Sequence, residues 1–280
     1  MAIAIERGNF IFRRVERELV RISSEQGPEG IHSFRTSTRR LQTLLENLLP
    51  APDRNQKKLL KALNRIRKSA GKLRDIDVQL SALRTMKVSL EPRRKTQLIQ
   101  ELFELRAKYE SKLRKLLKKN DVRELRKRLK RAAKDVSFDT PKEALLVARE
   151  VLACASVPAN SADESALHRF RIAVKRARYA AEFAPSSTDS KQFIDQLKRL
   201  QDVLGHWYDW FTLTKTATDR LGDVTQSSLV AVLQNVTRAK FRQAMVAVSA
   251  SNTGPRAPAA AVRNSGAMPP APMAAASAVA

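Results

Sequence analysis

A basic motif that occurs twice sets the plan of this chain. The first copy, at residues 32–40, reads HSFRTSTRR. The second, at 168–178, reads HRFRIAVKRAR. The shared pattern is H-x-F-R-x-x-x-[KR]-R, and His32 and His168 lie 136 residues apart. A second pair follows each copy: GKLRD from Gly71 to Asp75 matches GHWYD from Gly205 to Asp209, at an offset of 134. Two matched pairs in the same order, at nearly one offset, point to an internal duplication, and the period is far longer than that of a solenoid repeat. The repeated unit is therefore half of a domain.

The chain between these stretches reads as helix. It has only 8 Gly and 5% aromatic residues, which favours helices over strands. Apolar positions Ile5, Phe12, Val15, Leu19 and Ile22 predict a helix over 3–24, stopped at Gln26-Gly27-Pro28. Residues 29–49 form the next, ended by Pro50 and Pro52, and Asp53 caps a long helix to about residue 87. Glu91-Pro92 opens a fourth, running to about residue 120. A short, very basic segment, 121–136, joins this half to the second. There, Asp139-Thr140-Pro141 reads as a cap with a first-turn proline, and helices are expected over 139–156, 162–183, 190–221 and 225–250. The expected fold is all-α: two four-helix bundles, 3–120 and 139–250, within one domain of residues 1–250. The Ala/Pro-rich remainder, 251–280, has no apolar periodicity and reads as disordered.

The net charge is +25 at pH 7. Self-repulsion at this charge opposes the compact state, so a polyanionic partner is expected: nucleic acid, polyphosphate or an anionic membrane surface. One cysteine, Cys154, rules out a disulfide framework within the chain and suits a reducing compartment. No apolar run is long enough to span a membrane, and the N-terminus lacks the order of a signal peptide. The expected location is the cytoplasm.

The charge is organised on helix faces. At about 100° per residue, Arg35 and Arg39 share a face with His32, with Arg40 just beyond, while Ile31, Phe34, Leu41, Leu45 and Leu48 form a separate apolar stripe. The second copy repeats this: Leu167 and Phe170 point inward, and His168, Arg171 and Lys175 lie on another face, followed by Arg178. On the next helix Lys61, Arg65, Lys68 and Lys72 fall in one row with no carboxylate on it. Like charges at this spacing repel, which suggests that an external anion supplies the counter-charge. At the 134 offset Arg65 matches Arg199, but Lys61 and Lys68 match Asp195 and Asp202, so Lys198 and Arg199 are the main candidates there. An asymmetric site is expected, with more charge from the first half. The two motif histidines read equally as anion contacts or as residues that orient the bundle, and Asp75 and Asp209 as structural partners of an arginine or a helix cap.

Catalytic parts are missing from the sequence. There is no phosphate-binding glycine loop, no H-E-x-x-H and no C-x-x-C, and the three histidines carry no neighbouring ligands at metal spacing. No nucleophile–base pair can be read. The expectation is a protein that is not an enzyme and that uses neither metal nor cofactor.

The stretches IHSFRTSTRRLQTLL, LHRFRIAVKRARYAAEF, KLRDIDVQL and LKRLQDVLGHWYDW resemble the CHAD family, the conserved histidine α-helical domain, over roughly residues 3–250. The resemblance implies two helical halves related by a pseudo-two-fold and a module that binds inorganic polyphosphate, with possible localisation to polyphosphate granules. The E-x-E-x-K signature of the triphosphate tunnel domain often fused to this family is absent. The candidate ligand residues are then His32, Arg35, Arg39, Arg40, Lys61, Arg65, Lys68, Lys72, His168, Arg171, Lys175, Arg178, Lys198 and Arg199, converging on a groove between the halves. The alternative is a general polyanion-binding, nucleic-acid-binding or granule-associated structural protein. Single-strand binders interleave aromatics with their basic residues, whereas Phe34, Phe170 and Tyr179 fall on or near core positions here.

Overall fold

Apolar spacing and caps place nine α-helices among the residues that the computed structural model describes, 5–86, 91–138, 142–155 and 163–252, with no strand among them. In order they are α1 (Ile5–Ser24), α2 (Pro28–Thr43), α3 (Arg54–Thr85), α4 (Pro92–Leu116), α5 (Lys119–Asp135), α6 (Ala144–Ala153), α7 (Glu164–Ala181), α8 (Thr188–Leu221) and α9 (Ser228–Asn252). The tail expected to be disordered lies, from residue 253 on, outside the described residues, as does the Asp139-Thr140-Pro141 cap.

The long helices start where side chains can satisfy their first N–H groups. Asp53 Oδ1 accepts from Gln56 N at 2.7 Å, and Gln56 Oε1 accepts from Asp53 N, a reciprocal cap for α3. Ser187 and Ser190 make the same exchange for α8. Asp163 caps α7 through Ala166 N at 2.7 Å. Glu91, in the left-handed region at φ 55°, sends its carboxylate to Ser227 Oγ and Leu229 N and so caps α9 from the other half.

Two details depart from the sequence pattern. The helix expected to run to residue 49 widens after Thr43 into a π turn, Leu44–Leu48, with Leu49 N donating to Leu44 O. The wider turn lets Leu44, Leu45, Leu48 and Leu49 all reach the core before Pro50 ends the element. The basic segment 121–136 belongs to a full amphipathic helix, α5. Val122, Leu125, Leu129 and Ala132 form its buried stripe, packed against α1 and α3, while its cations face water.

The apolar core does not divide at the boundary between the halves. One large cluster draws on α1, α2, α3, the end of α4, α5, α6, α7, the first part of α8 and the end of α9. A second, smaller cluster joins the far ends of two hairpins, α3–α4 and α8–α9, through Leu83, Leu98, Leu213 and Leu233. On α3 the first cluster reaches Leu73 and the second begins at Ile76; on α8 they reach Trp207 and Leu213. The groove-facing stretches of α3 and α8 are therefore held by apolar packing above and below, while α2 and α7 rest on the large cluster.

Leu129 is 1% exposed and sits within the large cluster. Leu129→Ala is expected to cost about 2–5 kcal/mol, read as a lower urea midpoint. An unchanged midpoint would mean that α5 is not an integral part of the fold.

Candidate anion-binding groove

The two motif helices cross into one groove. Of its lining, α2 contributes His32, Arg35, Thr36 and Arg39, and α3 contributes Arg74, Asp75 and Val78. Arg171, Lys175 and Tyr179 come from α7, and Gln201, Asp202, Gly205, His206 and Asp209 from α8. The space they enclose is about 270 Å³ and partly open to solvent. Helical spacing explains the choice. His32, Arg35 and Arg39 share one face of α2, whose opposite stripe, Ile31, Phe34 and Leu41, is completely buried. Arg171 and Lys175 stand one turn apart on α7, with Leu167, Phe170 and Val174 buried behind them.

Five cations thus meet three carboxylates in one depression. Among the described residues, none of Arg35, Arg39, Arg74, Arg171 and Lys175 makes an ion pair or a side-chain hydrogen bond. Some arginines elsewhere are matched: Arg106 holds Asp77 at 2.7 Å, Arg149 holds Asp189 at 2.7 Å and Arg126 holds Glu16 at 2.9 Å. The groove cations are positioned by packing instead. The Arg35 guanidinium lies so close to α3 that a Cβ at Gly71 would collide with it. Arg171 lies over the Tyr208 ring, 4.3 Å from its centroid.

Burial, and after it neighbouring charge, shifts the titration of His32, Arg35, Asp75, Arg171, Lys175 and Asp209. Burial, then the guanidiniums of Arg171 and Arg39, lowers Lys175 to about 7, against the pull of Asp209. Burial lowers Arg35 and Arg171, with Asp75 and Asp209 respectively as the main opposing charges. Arg67, one turn before Gly71 on α3, falls to about 10 for the same reasons, burial first and then Arg39 and Arg35. Its Nη2 donates to Asn64 Oδ1 at 2.7 Å. Asp75, although open to the groove, and Asp209 are raised by partial desolvation, and the surrounding cations oppose that rise. His32 and His168 are both lowered by burial and then by neighbouring cations, so at neutral pH each is an uncharged imidazole.

The sequence candidates separate into three groups. His32, Arg35, Arg39, Arg171 and Lys175 line the groove. His168, Arg40 and Arg178 lie beside it with other partners. The His168 ring stacks on Tyr208 with centroids 4.6 Å apart. Arg40 donates to both oxygens of Glu182, at 2.6 and 3.1 Å, and Arg178 reaches the same carboxylate at 3.3 Å. Both guanidiniums flank the Tyr179 ring. This clasp ties α2 to α7. The third group is exposed and lies outside the groove: Lys61, Arg65, Lys68 and Lys72 on the outer face of α3, and Lys198 and Arg199 on α8. Sequence reasoning passed over Arg74, Arg67, Gln201 and His206. Arg74 stands inside the GKLRD stretch, where the step from Gly71 to Arg74 and Asp75 puts all three on one face.

Comparison with known proteins settles the lineage. A family model described as the CHAD domain matches residues 11–218. The chain belongs to the CHAD family. Two solved structures share its fold. The crystal structure of the CHAD domain from the plant Ricinus communis superposes with a TM-score of 0.63 at 19% identity, covering 86% of this chain and 88% of that one. PptA from Streptomyces chartreusis superposes with a TM-score of 0.64 at 14% identity, covering 87% of this chain and 98% of its own. No curated protein matches by sequence. Among the described residues of this CHAD domain no helix is long and apolar enough to cross a membrane, and no group of three His, Cys, Asp or Glu side chains could hold a metal ion.

Arg40 and Glu182 are each 22% exposed at the side chain. Arg40→Met is expected to destabilise the domain by about 1–3 kcal/mol, the cost of leaving a partly buried charged partner without its hydrogen bonds. A thermal melt checks this, and an unchanged melting temperature would show that the clasp contributes nothing.

Proposed function

We propose that this CHAD domain binds inorganic polyphosphate in the α2–α3–α7–α8 groove and does so without turnover. The observation that carries this reading is the set of five groove cations that make no direct ion pair among the described residues and outnumber the three carboxylates beside them. Condensed phosphate supplies closely spaced negative charges, with no bases to stack and no base edges to read. Arginine answers with bidentate contacts and lysine with a point charge. Three of the cations come from the first half and two from the second, so a bound chain would touch both. The uncharged imidazole of His32 offers a hydrogen bond rather than charge.

The exposed row Lys61, Arg65, Lys68 and Lys72 is the observation that favours a broader reading, a general polyanion or nucleic-acid binder. Titration with long-chain polyphosphate, with single- and double-stranded DNA as competitors at one physiological salt concentration, separates the two. Polyphosphate binding that DNA does not displace is expected. Displacement by DNA at equal phosphate concentration would favour the broader reading. In the same assay, Arg35→Ala with Arg39→Ala is expected to weaken polyphosphate binding by about tenfold or more per lost charged contact, with helicity by circular dichroism retained. Unchanged affinity would remove the groove from the proposal.

Binding is also expected to depend on pH through Lys175. Its amine titrates near 7 because it is buried and because cations surround it. A bound polyanion favours the charged form and raises that value. The contribution of Lys175 to affinity is then fully present below pH 7 and declines as pH rises through the raised value, by up to about tenfold per unit. Lys175→Met should flatten the profile above pH 7. A profile that stays steep in the variant would place the titrating group elsewhere.

A further inference from the structure

Gly205 stands in the interior of α8, a helix of 34 residues, where the fold gives no reason for a glycine. Its φ is not positive. No protein atom outside its own helix turn and chain neighbours lies within 4 Å of where its Cβ would stand, so no tight packing requires a missing side chain. A helix-interior glycine costs about 0.5–1 kcal/mol relative to alanine. The position nonetheless lines the groove, one turn from Gln201 and Asp209. Gly71, its match in the other half, makes the contrast. There the space above the helix is filled by the Arg35 guanidinium. At Gly205 the matching arginine, Arg171, is drawn over the Tyr208 ring, and the space above the helix stays open to the groove.

We propose that the bare backbone at Gly205 is a seat for one phosphoryl unit of the bound anion, where the chain crosses α8 at close range opposite the cations of α2 and α7. This rests on the reading of the groove as a polyphosphate site and adds where the ligand comes closest to the protein. The seat is bordered by two carboxylates, Asp202 and Asp209. Asp209 faces Arg171 and Lys175, which offset its charge. Asp202 is exposed and places a negative charge at the border of the seat. An unsubstituted phosphate chain, with no sugar at each phosphorus, suits such a passage. Gly205 is thus a specificity-determining position and takes no part in chemistry.

The test sets affinity against stability in the full chain. Gly205→Ala and Gly205→Leu both introduce good helix formers, so the melting temperature should hold or rise. Polyphosphate affinity, by titration with a long-chain preparation, should fall about fivefold or more for Ala, as expected of one methyl forced into a filled space, and further for Leu. Equal affinity in all three proteins, with the wild type binding, would overturn the seat while leaving the groove assignment intact. A lower melting temperature in Gly205→Ala would show that the glycine serves the course of the helix and would also overturn it. Absence of binding in the wild type would instead sink the parent reading.

Discussion

Mutual repulsion among the groove cations has to be balanced by something, and the balance comes from apolar packing on the far side of each helix. Arg35 is held against α3 at Gly71, and α2, which carries both Arg35 and Arg39, is fixed by Ile31, Phe34 and Leu41, all fully buried. Phe170 and Val174 do the same for α7. Burial first, and then the neighbouring guanidiniums, lower the titration of Lys175 to about 7. Rows of cations on the outer faces of α3 and α8 carry no such burden, because water and salt screen them. Charge density alone therefore does not mark the site. Charge that the fold refuses to disperse does.

The clasp at Glu182 bears on the same balance. It takes two arginines of the duplicated motifs, Arg40 and Arg178, and turns them from repelling neighbours into a bond between α2 and α7. One carboxylate shared by two guanidiniums over a tyrosine ring holds the motif helices at the distance where their other cations face each other. The domain thus uses the same residue type, a few positions apart, both as a tie and as an unpaired charge.

Much of this was legible in the sequence. The helical class followed from spacing and caps, and the sharing of a face by His32, Arg35 and Arg39 followed from the helix repeat. What could not be read was which face of a helix meets another helix. On α3 the outer row Lys61, Arg65, Lys68 and Lys72 and the inner row Arg67, Gly71, Arg74 and Val78 have the same spacing. Only the second row meets α2 and α8, and it carries fewer charges, so counting cations draws attention to the first. Helix α5 was obscured for a related reason. Its apolar stripe is regular, but two of its four members are small or branched and the remainder of the segment is dominated by charge. The pairing of Arg40 with Glu182 was out of reach, since the two lie 142 positions apart.

The two apolar clusters along α3 and α8 carry a mechanical consequence. The groove opens at their junction, so the two long helices among its walls, α3 and α8, are braced on both sides, like a beam on two supports. A cleft built this way has little freedom to gape or to shut. Whatever occupies it must do the bending, entering lengthwise and conforming to walls that stay where they are, and the entropy of ordering is then borne by the guest rather than by the host.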